Sequence, residues 1–104
     1  MKNALKAQGF VRTPPAIAAL LARWAVRAAT DQVLDAGFGE GVFLLESAKR
    51  LLTLGTPIRR LSTQLHGVDS HPDAVQVLQR TFRSYGLPTE FPGVFVAPSS
   101  EGKY

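Results

Sequence analysis

The sequence predicts an α/β fold class, with one half of a doubly wound parallel sheet as its architecture. The first observation is the order of patterns along the chain, a helix followed by strand–helix–strand–helix–strand. Such alternation is typical of parallel strands joined by right-handed crossovers. The second observation is that Asp35 and Asp69 end the first two predicted strands. The third is a loop with three glycines after the first strand, at the sheet edge where open α/β sheets bind small ligands.

The composition is that of a small globular domain. The chain has 104 residues, 45% hydrophobic and 19% charged, which fits a single domain over residues 1–104 and argues against disorder. It has no cysteine and two histidines, so disulfides and thiolate metal sites are excluded and we assign no metal. No apolar run approaches the roughly 20 residues of a membrane span, and the start lacks a signal-peptide core. We therefore expect a cytoplasmic protein without a membrane partner.

The charge is basic, with a formal net value of +4 and 12 lysines and arginines. A basic balance is compatible with nucleic-acid binding and equally with an ordinary solvated surface. One alternative is therefore a small DNA-binding domain that would use Arg23, Arg27, Arg80 and Arg83. No recognition-helix motif accompanies these four arginines.

The first helix is predicted to begin at Pro14-Pro15, with Thr13 as its cap. Apolar residues at i, i+3, i+4, i+7 and i+11 form one stripe, as expected of a helix with a core-facing side. The stripe consists of Ile17, Leu20, Leu21, Trp24 and Ala28. Thr30-Asp31 is predicted to end this helix and to lead into the first strand, Gln32–Asp35.

The second helix is predicted to run from about Gly41 to Leu54, with Gly55 as its C-cap. Residues 59–63 read as a polar connection to the second strand, Gln64–Asp69. Within that strand, His66 is interpreted as a structural histidine whose ring is hydrogen-bonded within the protein.

The third helix is predicted to start within Ser70–Asp73 and to stop at Gly86–Pro88. Gly93–Ala97 is the predicted third strand. If nothing covers this strand it forms an exposed edge, and such edges invite pairing with a second polypeptide or a second copy of the chain.

The glycine loop has a spacing that disfavours a dinucleotide. A dinucleotide fingerprint reads G-x-G-x-x-G, whereas Gly37, Gly39 and Gly41 are spaced G-x-G-x-G. Asp35 and Glu40 flank the loop and would repel a pyrophosphate, which prefers amide donors and positive dipoles. A ligand with an amino or sulfonium cation is favoured instead. At about 4 Å and an effective dielectric constant near 20, one opposite-charge pair contributes about 4 kcal/mol before desolvation.

Asp69 adds a second recognition element at the end of the next strand. Its carboxylate can accept two hydrogen bonds from a ribose diol. The loop and Asp69 together describe a nucleoside with a cationic tail, for which S-adenosylmethionine fits better than NAD or ATP. Phe38 is the aromatic residue best placed to line the pocket, and His71 is an alternative neighbour for an adenine ring.

Three segments resemble the adenine-N6 DNA methyltransferases of bacterial restriction–modification systems. They are Gly9–Pro15 before an apolar helix, Asp35–Phe43, and Leu65–Val75. The segments come in that family's order and at its spacing, and they cover roughly residues 9–83. The resemblance implies a three-layer Rossmann-like methyltransferase fold, of which this chain holds the N-terminal half.

The resemblance also implies how the methionine end of S-adenosylmethionine is held. Thr13 would bind the carboxylate through its hydroxyl and nearby amides, and Asp35 would face the amino group. Gly37, Gly39 and Gly41 would let the main chain pass close to the cofactor.

For the nucleoside end, the resemblance implies that Asp69 binds the ribose hydroxyls and that Ser70 lies beside the adenine ring. The chain departs from the family in two places. After the third strand, Val96–Ser99 lacks the acidic residue that the family usually has there. The catalytic Asn/Asp-Pro-Pro-Tyr/Phe motif, which holds the target amino group and stacks on the flipped base, is absent. We therefore assign no catalytic residue.

The predicted function is the S-adenosylmethionine-binding segment of a DNA adenine-N6 methyltransferase, which would contact DNA through the complete enzyme. Two alternatives remain open. One is a methyltransferase segment for RNA, protein or a small molecule. The other is a non-catalytic binding or assembly module that uses half a sheet to pair with a second polypeptide.

Overall fold

The computed structural model describes residues 13–97 of the chain. Predictions for Gly9–Arg12 and Pro98–Ser99 lie outside these residues. The described part contains helices α1 to α4 and strands β1 to β3. In chain order they are α1 (Pro15–Ala25), β1 (Val33–Ala36), α2 (Val42–Leu54), α3 (Ile58–Gln64), β2 (Leu65–Asp69), α4 (Ala74–Ser84) and β3 (Gly93–Val96).

The three strands form one parallel sheet in the order β1-β2-β3. This confirms the predicted α/β class and the parallel alternation. Both connections step in the same direction across the sheet, so right-handed crossovers bring their helices to the same face. Burial agrees, because Val33, Leu65 and Val94 are buried on one face while Leu34 and Phe95 on the other are 71% and 57% exposed.

The hydrophobic core lies between the sheet and the helices on that covered face. Its largest fully buried side chains include Phe82 and several leucines of α2, α3, β2 and α4. Phe82 also packs edge-to-face on Phe91, with ring centroids 4.9 Å apart and an interplanar angle of 83°. This contact joins α4 to the segment that leads into β3. The predicted C-cap of α2 is confirmed, since Gly55 has φ 109°.

The first helix is shorter than predicted and is not capped by Thr13. It ends at Ala25, and Val26 is extended and only 2% exposed. The reason is Asp31, whose Oδ2 accepts the N–H groups of Arg27 at 2.8 Å and Ala28 at 3.0 Å. These hydrogen bonds lower the pKa of Asp31 and compete with helical ones. At the other end, Pro14 is the N-cap and no side chain caps the helix.

The prediction that the apolar stripe of the first helix faces the core is also wrong. The buried residues of α1 are Ala18 and Ala22, which are 0% and 1% exposed. The physical reason is that α1 packs against α2, and alanine lets two helix backbones approach closely. The larger residues of the stripe remain exposed, at 48% for Ile17, 61% for Leu20, 46% for Leu21 and 76% for Trp24.

The predicted polar connection at residues 59–63 is a helix, α3. Pro57 precedes it, as is common at a helix start, and Leu61 and Gln64 are buried. Gln64 therefore ends α3 instead of starting β2. Within residues 13–97, no helix has the length and apolar character needed to cross a membrane.

Candidate functional site

The loop between β1 and α2 reverses the chain through three left-handed glycines. Gly37, Gly39 and Gly41 have φ angles of 77°, 61° and 87°. A side chain at any of these positions would be strained, because its Cβ would crowd the neighbouring carbonyl. The loop therefore turns at the carboxyl edge of the sheet, as the sequence predicts, but Gly39 and Gly41 are buried and Gly37 is half-buried.

Gly41 has a packing role in addition to its conformation. A Cβ atom built on Gly41 would collide with the side chain of Leu78, which is fully buried in α4. Gly41 is also the N-cap of α2, and its N–H donates to the Phe38 carbonyl at 2.9 Å. The requirement for glycine here thus follows from the contact of the loop with α4.

Phe38 points into the core beneath the loop. It is 4% exposed, and its ring lies over Gly67 of β2, where a Cβ atom would be 2.8 Å from Cδ2. Its observed role is to pack the floor of the loop against the sheet. Its contact with a cofactor stays a prediction.

Asp69 connects the carboxyl ends of all three strands. Its Oδ2 accepts the Gly39 N–H at 2.9 Å and its Oδ1 accepts the His71 N–H at 2.8 Å. Its backbone carbonyl accepts the Ala97 N–H at 2.9 Å, just beyond β3. Gly37 adds a hydrogen bond to the Val68 carbonyl. The structure therefore brings Asp69 and the glycine loop together, 30 residues apart in sequence.

The Asp69 carboxylate retains capacity for a ligand after these contacts. An ionised carboxylate offers about four lone-pair sites, and two of them are engaged by Gly39 and His71. Asp69 is half-buried at the carboxyl end of β2. The arrangement is chemically suited to a ligand with hydroxyl or cationic donors.

Two further acidic residues belong to the same edge of the sheet. Asp35 is half-buried in β1 in register with Gly67, and its position in the strand puts its side chain on the covered face with Val33. Glu40 is half-buried in the loop, and its backbone carbonyl accepts the Thr81 hydroxyl at 3.4 Å. Both acidic residues make further interactions within the molecule.

Ser70 and His71 follow Asp69 at the surface. Ser70 is exposed, in keeping with a place beside a bound ring, and its contact with adenine stays a prediction. His71 is half-buried, and its Nδ1 accepts the Asp73 N–H at 3.2 Å. That hydrogen bond gives His71 a role in shaping the turn between β2 and α4.

The packing of α1 on α2 indicates that Thr13 lies at the same end of the molecule as the glycine loop. Arg50 of α2 donates from Nε to the Val26 carbonyl at 2.9 Å, which joins the C-terminal ends of α1 and α2. The two helices have 11 and 13 residues and pack together, so their N-terminal ends also lie at one end of the molecule. The contact of Thr13 with a methionine carboxylate stays a prediction.

The sequence interpretation missed Gly67 as part of this site. A lone glycine inside a strand pattern often indicates close approach of another group, and that signal was present in Leu65–Asp69. Without Gly67, the Phe38 ring could not reach the sheet. His66, interpreted as a structural histidine, has its Nε2 2.7 Å from Oε1 of Gln32.

The groups at this edge are carboxylates and backbone amides. Across residues 13–97, no group of three His, Cys, Asp or Glu side chains could hold a metal ion. The edge instead combines the backbone of the glycine loop with carboxylates, in a chain whose net charge is +4. Comparisons of the chain with protein-family models, curated proteins and solved structures found no match.

Proposed function

We propose that this chain is the S-adenosylmethionine-binding segment of an adenine-N6 DNA methyltransferase and belongs to a three-layer Rossmann-like fold. The observation that supports the proposal most is the position of Asp69. Its carboxylate ends β2 and meets the backbone of the glycine loop that follows β1. Ligands of open α/β sheets bind at this edge, and an acidic residue there is suited to a ribose diol.

The charges favour a cationic ligand over a phosphate-bearing one. Asp35 precedes the loop, Glu40 lies within it, and the Asp69 carboxylate accepts the amide of Gly39. A pyrophosphate needs such amides as donors and would meet three carboxylates. The amino and sulfonium groups of S-adenosylmethionine would instead be attracted by them.

The residues present fit the cofactor at both of its ends. Thr13 and Asp35 are the groups for the methionine carboxylate and amino group, and Gly37 to Gly41 supply close backbone. Asp69 and Ser70 are the groups for the ribose and adenine. When bound, the cofactor supplies an activated methyl group, and the residues of this chain orient it and exclude phosphate ligands from its place.

Calorimetric titration tests the proposal. We expect the chain to bind S-adenosylmethionine more tightly than ATP or NAD, because the acidic groups attract its cations. Asp69→Ala should weaken binding by about 1–3 kcal/mol through the lost ribose hydrogen bonds. The matched control is Asp73→Ala, which removes an exposed carboxylate four positions further along the chain.

Because Asp69 also holds Gly39, the same titration is done with the 2′-deoxy analogue of the cofactor. The wild-type chain should discriminate against this analogue, and Asp69→Ala should lose that discrimination if Asp69 contacts the diol. Equal affinity of the wild type and Asp69→Ala for the cofactor, or tighter binding of ATP, contradicts the proposal.

A second candidate function is the non-catalytic assembly module. The observation that favours it is the sheet face that residues 13–97 leave uncovered, with Leu34 and Phe95 at its two edges. Parallel sheets are normally covered on both faces, so this face is suited to a protein partner.

A further inference from the structure

Positive and negative side chains are separated between the two ends of the parallel sheet. At the carboxyl edge, the loop 37–41 and the turn 70–73 contain Glu40 and Asp73 but no lysine or arginine. The helices α1 and α3 lead towards the amino ends of β1 and β2, so the topology brings their arginines to the opposite edge. We call this group of arginines the basic end, and it consists of Arg23, Arg27, Arg50, Arg59 and Arg60.

Side-chain hydrogen bonds hold the parts of the basic end together. Arg50 donates from Nε to the carbonyl of Val26, the residue that follows α1, at 2.9 Å. Thr56 donates from its hydroxyl to the Ala29 carbonyl at 2.7 Å, so the start of α3 lies beside the connection between α1 and β1. This connection carries Arg27, and the first turn of α3 carries the two adjacent arginines of the basic end.

The arginines of the basic end are accessible to an anionic partner. Four of them are exposed and form no salt bridge with a carboxylate of residues 13–97, namely Arg23, Arg27, Arg59 and Arg60. Asp31 lies in the same connection and offsets one of the five positive charges, while its Oδ2 accepts two backbone N–H groups. The remaining positive charge favours a polyanion, and the planar guanidinium group is suited to phosphate oxygens.

Trp24 adds an aromatic surface on the last turn of α1, next to these arginines. Its side chain is 76% exposed, and it lies between Arg23 and Arg27 in the sequence. Proteins bind single-stranded nucleic acids by combining cations for the backbone with aromatic rings on which the bases stack. In a duplex the bases stack on one another, so an exposed ring favours a single strand.

We propose that the basic end, together with Trp24, is a binding surface for single-stranded nucleic acid. It lies at the end of the strands away from the glycine loop, so it does not depend on the proposed cofactor site. The structure also divides the four arginines considered for DNA in the sequence. Arg23 and Arg27 belong to this surface, whereas Arg80 and Arg83 lie on α4, which contacts β3 at the other side of the sheet.

Fluorescence anisotropy of a labelled oligodeoxythymidine of about 12 nucleotides, titrated with the whole chain, tests the proposal. Between about 50 and 200 mM salt, a plot of log association constant against log salt should have a slope near −3, because each of about four neutralised phosphates contributes about −0.7. The double variant Arg59→Ala/Arg60→Ala should bind about tenfold or more weakly at 50 mM salt, with a slope shallower by about 1.4.

Two further variants separate this surface from general attraction by a basic protein. Arg80→Ala/Arg83→Ala removes the same charge from exposed arginines of α4, and it should leave the affinity and the slope close to those of the wild type. Trp24→Ala should weaken binding by about tenfold without changing the slope, because loss of stacking releases no counterions.

Four results would each overturn the proposal. They are no binding of the oligonucleotide at about 50 mM salt, equal effects of the two double variants, an unchanged affinity of Trp24→Ala, and a duplex bound as tightly as the single strand. Because the titration contains no S-adenosylmethionine, its failure leaves the proposed function untouched.

Discussion

Gly41 and Gly55 are two left-handed glycines whose surroundings differ. Gly41, with φ 87°, lies against the buried Leu78 side chain, whereas a Cβ atom on Gly55, with φ 109°, would have no neighbour within 4 Å. Substitution of either residue carries a conformational penalty, and only Gly41 adds a steric one. The pair therefore separates backbone strain from packing at the start and end of one helix.

We expect Gly41→Ala to lower the free energy of unfolding by about 1–3 kcal/mol more than Gly55→Ala does, because it alone overpacks the core. Urea denaturation followed by circular dichroism measures both variants. Equal losses for the two variants would mean that Leu78 moves aside at no cost.

At the scale of elements, the segment between α1 and β1 is held by side chains from α2, α3 and their connection. Arg50 donates to the Val26 carbonyl at 2.9 Å and Thr56 donates to the Ala29 carbonyl at 2.7 Å. Gln64 donates from Nε2 to the carbonyls of Ala29 and Asp31, both at 2.9 Å. These carbonyls belong to no helix or strand, so the side chains supply their hydrogen-bond donors. The bonds lie at the edge of the sheet away from the glycine loop.

Gln64→Ala should lower the free energy of unfolding by about 1–3 kcal/mol, since it leaves a partly buried carbonyl without a donor. Gln76→Ala is the control, because Gln76 is exposed on α4. Chemical denaturation of both variants gives the difference. If the two variants unfold alike, water replaces the amide of Gln64 without loss.

For the whole molecule, the proposed function covers only the donor side of a methyl transfer. Under that proposal the three-stranded parallel sheet would provide a place for the cofactor, and the sequence contains no Asn/Asp-Pro-Pro-Tyr/Phe motif to hold the target base. Methyl transfer depends mainly on positioning both reactants, so a chain that positions one of them gains little rate.

We therefore expect the 104-residue chain, on its own, to transfer no methyl group to DNA above the rate without protein. Incorporation of radiolabelled methyl groups from S-adenosylmethionine into adenine-containing duplexes measures this. Methyl transfer by the purified chain above the level of a heat-denatured sample of the same preparation would contradict the expectation.

Periodicity and local motifs were sufficient to predict the strands and the glycine loop. The strands follow from short apolar runs between breakers, and the left-handed loop follows from glycines at alternate positions. The length of α1 was not predictable, because it depends on the Asp31 carboxylate and on the burial of Val26. These are tertiary effects that override a helical pattern.

The sequence was sufficient to select the acidic residues and glycines of the candidate site, but not to predict how they pack. Asp69 could be placed at a strand end from sequence alone, whereas its hydrogen bond to Gly39 depends on the register of β1 with β2. Phe38 looked like a pocket wall because it lies in a loop. Its burial follows from the space above Gly67, which is a property of the neighbouring strand.

The contacts of Asp69 also couple the site to folding. Gly39, Asp69 and Ala97 come from three distant parts of the chain, and they meet only after both crossovers have formed. Parallel pairings over such separations close slowly, and this edge is complete only when all three strands are in place. A molecule bound there would stabilise the native state alone, and a rise in melting temperature would report its occupancy.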